Sequence, residues 1–134
     1  MQRAPIDRIH VIVSTHTPRH LRHVLMGLRY QQRPADRVVV AVDNDKPEIA
    51  ELVRRCVDEF AMPITLTQRP FNGVGRVAQT RNNGIRAMLA TGGIGDDDLI
   101  VMFDGDCTPM PDVLAKYERL AERGDLLIGW RVHL

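Results

Sequence analysis

Cysteine, aromatic residues and net charge are all scarce in this sequence. Only Cys56 and Cys107 occur, in unlike contexts, so they make no disulfide framework and a reducing cytoplasm is the expected compartment. Lys and Arg number 18 against 17 Asp and Glu, a formal charge of +1 with no block of like charge. That balance argues against nucleic acid as a partner and against an anionic-membrane patch as the main business. Long apolar runs are missing too. The stretches Val38 to Val42 and Leu99 to Phe103 are strand-sized, far short of the roughly 20 residues of a membrane span. The opening MQRAPIDRIHVIVS lacks the apolar length and small-residue cleavage site of a signal peptide. No repeat, low-complexity tract or linker interrupts the chain. What is present, 134 residues of which 44% are hydrophobic and 4% aromatic, suits one domain over residues 1–134, able to bury about two-thirds of its unfolded surface.

Apolar, β-branched runs begin near Ile9 (IHVIVS), Val38 (VVVAVD), Ile64 (ITLT), Leu99 (LIVMFD) and Leu126 (LLIGW). Their spacing, about one βα unit of roughly 30 residues, predicts five strands alternating with four helices. Near-continuous apolar strands imply a mostly parallel sheet covered on both faces, a Rossmann-like three-layer α/β/α fold. Thr17-Pro18 reads as an N-cap followed by Pro at the first helical position, and Leu21, Val24, Leu25 and Leu28 form the buried stripe. Asp45 and Glu48 have capping-box spacing ahead of Ile49, Leu52, Val53, Cys56, Val57 and Phe60. A third helix is expected from about Gly75 to Ala90. A fourth should open at Pro111, bury Val113, Leu114, Tyr117 and Leu120, and end at Gly124.

In an open parallel sheet, ligands bind at the carboxyl ends of the strands. There the sequence offers Ser14, Thr15 and His16, then Asp43, Asn44 and Asp45, then Arg69 to Gly75, then Asp104, Gly105 and Asp106. Three strand-end carboxylates at one edge repel one another unless a cation or an arginine compensates them. A hard divalent ion, Mg²⁺ or Mn²⁺ shared with a diphosphate, is the simplest such cation. In VMFDGDCTP, Asp104 and Asp106 can aim to one side while Gly105 allows a close backbone approach. The same residues also suit a plain strand end and turn cap.

RPFNGVGRVAQTRNNGI holds a literal G-x-G-x-x-A at Gly73, Gly75 and Ala78. A dinucleotide fingerprint belongs after the first strand, however, and STHTPR has no glycine there. What remains is a loop of backbone N–H groups at a helix N-terminus, suited to an anion, with Arg81 further along the helix. A solvated helix start with Arg81 in a surface ion pair is the plainer alternative. His20 and His23 read as a solvated helix face, whereas His16 lies at the crevice. Cys56 reads as core and Cys107 as a small filler; Trp130 and His133 are assigned only to strand-end packing.

The succession of a strand with STHTPR, YQQRPADRVVVAVDN, FNGVGRVAQTRNNGIRAMLATG and DDDLIVMFDGDCTPMPDVL resembles the nucleotide-binding half of family 2 glycosyltransferases of the GT-A fold, over about Ile9 to Arg131. The resemblance implies a nucleoside-diphosphate sugar donor and transfer to an acceptor hydroxyl of a glycan, lipid or small molecule, with inversion as the family expectation. It implies that Ser14, Thr15 and His16 contact the nucleoside, His16 replacing the usual aromatic residue, and that Asp43 holds the base beside Asn44. It places Gly73 and Arg81 near the diphosphate, Asp104 near the ribose next to Gly105, and Asp106 as the direct ligand of Mn²⁺ or Mg²⁺, with Asp104 the second carboxylate. Asn44-Asp45-Lys46 stands where the family has a second acidic residue and Gly-Ser. The family's general base lies well downstream, so it is expected beyond Leu134, in an acceptor-binding half that these residues stop short of. Peripheral membrane association stays open. Two alternatives remain: a haloacid-dehalogenase-like phosphatase using the D-x-D-x-T at residues 104–108, and a non-catalytic nucleotide-binding module.

Overall fold

Four parallel strands form one sheet in the order β3-β2-β1-β4. The computed structural model describes residues 3–129 and 131, in the sequence β1 (Ile9–Thr15), α1 (Leu21–Arg29), β2 (Arg37–Val42), α2 (Pro47–Phe60), β3 (Ile64–Gln68), α3 (Val77–Ala90), β4 (Leu99–Asp104), α4 (Val113–Leu120) and a 3-10 turn, Ala121–Arg123. The register pairs Ser14 with Asp104 on one side and with Ala41 on the other, so the strands carrying the candidate aspartates end level with β1.

Strand alternation sorts the core into two layers. Ile9, Val11 and Val13 join Val38, Val40 and Val42 on one face, beneath Leu21, Val24, Leu25 and Leu28 of α1, Ile49, Val53, Cys56 and Phe60 of α2, and Leu114 of α4. On the other face Ile12, Val39 and Ala41 meet Met88 of α3. Each fully buried Val, Leu or Ile side chain contributes about 1.5–3 kcal/mol of transfer free energy. The result is the expected three-layer α/β/α arrangement. Gly84 sets how closely α3 lies on the sheet: a Cβ there would stand 2.7 Å from Ile12 Cγ2 and 3.3 Å from Ala41 Cβ.

Four local expectations are corrected. α1 begins at Leu21, because Thr17 caps a turn instead: its Oγ1 accepts from the Arg19 N–H at 3.3 Å, and the Leu21 N–H donates to Pro18 O at 3.2 Å. α2 has no capping box; Lys46 is its N-cap, without a side-chain bond, and Pro47 opens it. α4 starts at Val113 and its α-helical part ends at Leu120, whose side chain is exposed. The fifth strand is missing over 126–129, where Leu126 and Ile128 lie exposed without a partner strand. Trp130 and His133 lie outside the described residues. Among the described residues no helix is long and apolar enough to cross a membrane.

Candidate functional site

The strand ends are tied together by backbone bonds that outlast the sheet ladder. The Asp43 N–H donates to Thr15 O at 2.9 Å, the Gly105 N–H to Ser14 O at 2.8 Å, and the Arg69 N–H to Val42 O at 3.2 Å. Pro70, which has no N–H, follows Arg69, and the chain turns away. Gly105 must be glycine to fit: a Cβ would approach Thr15 Oγ1 to 2.6 Å. These links bring Ser14, Thr15, His16, Asp43, Arg81, Asp104, Gly105 and Asp106 to one crevice of about 420 Å³, whose other wall is the N-terminus of α3 at Gly75, Arg76 and Val77.

Asp43 is almost fully enclosed, its side chain 4% exposed. Arg69 Nε donates to its Oδ1 at 2.9 Å, while Arg76 donates to Oδ1 through Nη2 and to Oδ2 through Nε at 3.3 Å. Burial pushes the Asp43 carboxyl up, but the hydrogen bonds from Arg76 and Arg69, reinforced by their charges, hold it below the usual carboxylate range. Arg69 also donates to Thr80 Oγ1 at 3.0 Å, so the loop after β3 is fastened to α3.

Asp104 is paired on both oxygens. Arg81 Nη2 donates to Oδ1 at 2.8 Å and Arg131 Nη2 to Oδ2 at 2.7 Å. Asp106 is more exposed and has Arg131 no nearer than 3.8 Å. Ligand atoms of Asp104, Asp106 and Cys107 lie within 4.8 Å of one another. Two hard carboxylates, one of them open to solvent, fit a divalent cation that completes its shell from phosphate oxygens and water. The thiol, a soft donor, suits it less well, and burial and then a hydrogen bond to Asp106 push Cys107 up.

The profile of Glycosyltransferase like family 2 matches residues 8–128. The chain belongs to this family.

Solved structures agree on the fold. The crystal structure of S. aureus TarS superposes with a TM-score of 0.66 at 17% identity, covering 85% of this chain and 19% of that one. S. aureus TarS 1-349 in complex with UDP gives 0.64 at 18% identity, and its complex with UDP-GlcNAc 0.62 at 18%, covering 85% of this chain and 32% and 31% of theirs. This family 2 chain therefore spans between a fifth and a third of the length of those proteins, and it shares their GT-A fold. No curated protein matches it significantly.

Two residues expected at the site of this family 2 domain stand apart from the crevice lining. Gly73, at φ +84°, occupies the exposed tip of the loop before α3. Asn44 turns back to hold the neighbouring loop, donating from Nδ2 to His16 O at 3.2 Å. Compensation of the three aspartates is also wider than expected from Arg81 alone, since Arg69, Arg76 and Arg131 share it. Phe71, not anticipated, stacks on His16 with ring centroids 6.4 Å apart and planes at 26°. The dehalogenase-like alternative loses its footing, because the family 2 match runs through the D-x-D-x-T at residues 104–108.

Proposed function

We propose that this chain is the donor-binding portion of a family 2 glycosyltransferase, taking a nucleoside-diphosphate sugar and transferring the sugar, with inversion, to an acceptor hydroxyl. The observation that carries this reading is the convergence of Asp104, Asp106 and Arg81 on the crevice opened by the α3 N-terminus. Ser14 and His16 would line the nucleoside, and Asp43, set in place by its two arginines, would stand at the base. Breaking the anomeric C–O bond leaves negative charge on the departing diphosphate. Arg81 and the N–H groups at the start of α3 would receive that charge. Mn²⁺ or Mg²⁺, held by Asp106 with Asp104, would supply further stabilisation of the same charge.

Acceptor deprotonation needs a base. Asp43 and Asp104 are poor choices because arginines already engage their oxygens, so the base is proposed outside this crevice. The acceptor, whether glycan, lipid or small molecule, is unspecified. A reducing cytoplasm is the proposed setting, in keeping with the free thiols of Cys56 and Cys107.

The test is thermal. Mn²⁺ together with one of UDP, GDP or dTDP should raise the melting temperature, and Asp106→Ala should abolish the rise. No shift with any of the three diphosphates would falsify the reading.

A further inference from the structure

The carboxylates proposed to hold a divalent cation are already bridged by a side chain. Arg131 Nη2 donates to Asp104 Oδ2 at 2.7 Å and stands 3.8 Å from Asp106 Oδ1. A guanidinium there and a divalent cation on the same two carboxylates repel each other at short range. One must give way. Arg81, which holds the opposite oxygen of Asp104, is carried on α3, whose packing on the sheet sets its position. Arg131 follows residues 124–129, which form neither helix nor strand and leave Leu126 and Ile128 exposed. The side chain that can leave its carboxylate with little disturbance to the fold is therefore Arg131.

Its alternative partner is defined by the same crevice, which Arg131 lines. A diphosphate entering beside Asp106 carries several negative charges, and a guanidinium fork matches phosphate oxygens in two parallel bonds. We propose that Arg131 is an exchangeable counter-ion: it caps Asp104 and Asp106 until ligands arrive, yields them to the divalent cation, and passes to the donor's diphosphate. This rests on the nucleotide-sugar reading above. It adds that the donor site is guarded against metal alone and completed by an arginine outside α3.

The proposal demands effects of opposite sign from one substitution. Arg131→Ala should bind Mn²⁺ about tenfold more tightly than wild type in the absence of nucleotide, because the competing cation is gone. At saturating Mn²⁺ the same variant should bind the diphosphate about tenfold more weakly, because one of its ligands is gone. Free Mn²⁺ is read by electron paramagnetic resonance and the diphosphate by calorimetry, using whichever of UDP, GDP or dTDP wild type binds most tightly. Arg131 is half-exposed and its removal leaves the core untouched, which circular dichroism of the variant verifies. A purely structural role would move both affinities in one direction. Any result other than tighter metal with weaker diphosphate overturns the proposal. If wild type binds both ligands and Asp106→Ala loses both, such a result removes only the role of Arg131. If neither wild type nor Arg131→Ala binds Mn²⁺ or any diphosphate, the donor-site reading falls with it.

Discussion

Arg76 grips Asp43 at both oxygens, through Nη2 to Oδ1 and through Nε to Oδ2 at 3.3 Å. The pair joins the end of β2 to the start of α3, and Arg69 closes it from the β3 side. Removing the carboxylate leaves two arginines, each about a fifth exposed, without their counter-charge. Asp43→Ala should cost about 2–4 kcal/mol in urea unfolding at neutral pH. A variant as stable as wild type would show that the cluster carries no net energy.

At the opposite end of the sheet, Asp98 accepts from the Gly95 N–H at 2.7 Å, from Arg8 at 2.8 Å and from His10 Nε2 at 2.6 Å. Burial pushes its carboxyl up, but the bonds from Gly95, His10 and Arg8 outweigh burial and hold it well below the usual carboxylate range. A depressed folded pKa stabilises above the unfolded value of about 3.9, and that contribution is lost as pH falls through the folded value. Asp43 behaves in the same sense. Wild type should therefore lose stability below about pH 4, and Asp98→Asn should flatten that acid limb while lowering stability at pH 7. Urea midpoints measured between pH 3 and pH 7 decide; an unchanged acid slope in the variant contradicts the assignment.

Gly84 leaves no space for a methyl group above Ile12. Gly84→Ala should destabilise by about 1–3 kcal/mol despite its better helix propensity, since overpacking outweighs the backbone term. Trimming the neighbour with Ile12→Ala should make the double variant less unstable than the sum of the two singles. Strict additivity would mean that α3 simply rides higher at no cost.

Arg81 and Asp104 are each more than a third exposed, so their ion pair contributes little to folding. Arg81→Ala should lower the unfolding free energy by under about 1 kcal/mol in urea titration while weakening diphosphate binding about tenfold or more. Arg81→Lys should recover only part, because the ammonium lacks the guanidinium fork. A large stability loss with unchanged binding would assign Arg81 to the scaffold instead.

Local physics made part of this legible in advance. The stripe Leu21, Val24, Leu25 and Leu28 is buried as its spacing requires, and so are Ile49, Val53, Cys56 and Phe60. The strand ends carrying Asp43 and Asp104 follow from where the β-branched runs stop. Caps were less legible, because Thr17 and Asp45 could serve either a turn or a helix and only tertiary context chose. The arginine partners were hidden for a different reason. Arg76 lies 33 residues from Asp43 and Arg131 lies 27 from Asp104, and no local pattern records a pairing across such separations. A visible trace did exist: Arg69 and Arg76 bracket the one glycine-rich loop that precedes a helix. The apolar run at Leu126 misled because hydrophobicity alone does not supply a neighbouring strand.

The crevice has two unlike boundaries. Its floor ends β1 and β2 over an apolar core, whereas its walls are fastened by arginine–carboxylate pairs at Asp43 and Asp104. Dissolved ions screen exposed charge over about 8 Å at physiological strength and screen buried pairs much less. Added salt therefore acts first on the pairs of Asp104 with Arg81 and Arg131, and far less on the enclosed Asp43 cluster. The two sides of the crevice differ in how they answer to the surrounding ions: the rim at Asp104 is salt-sensitive, and the enclosed Asp43 cluster is not to the same degree.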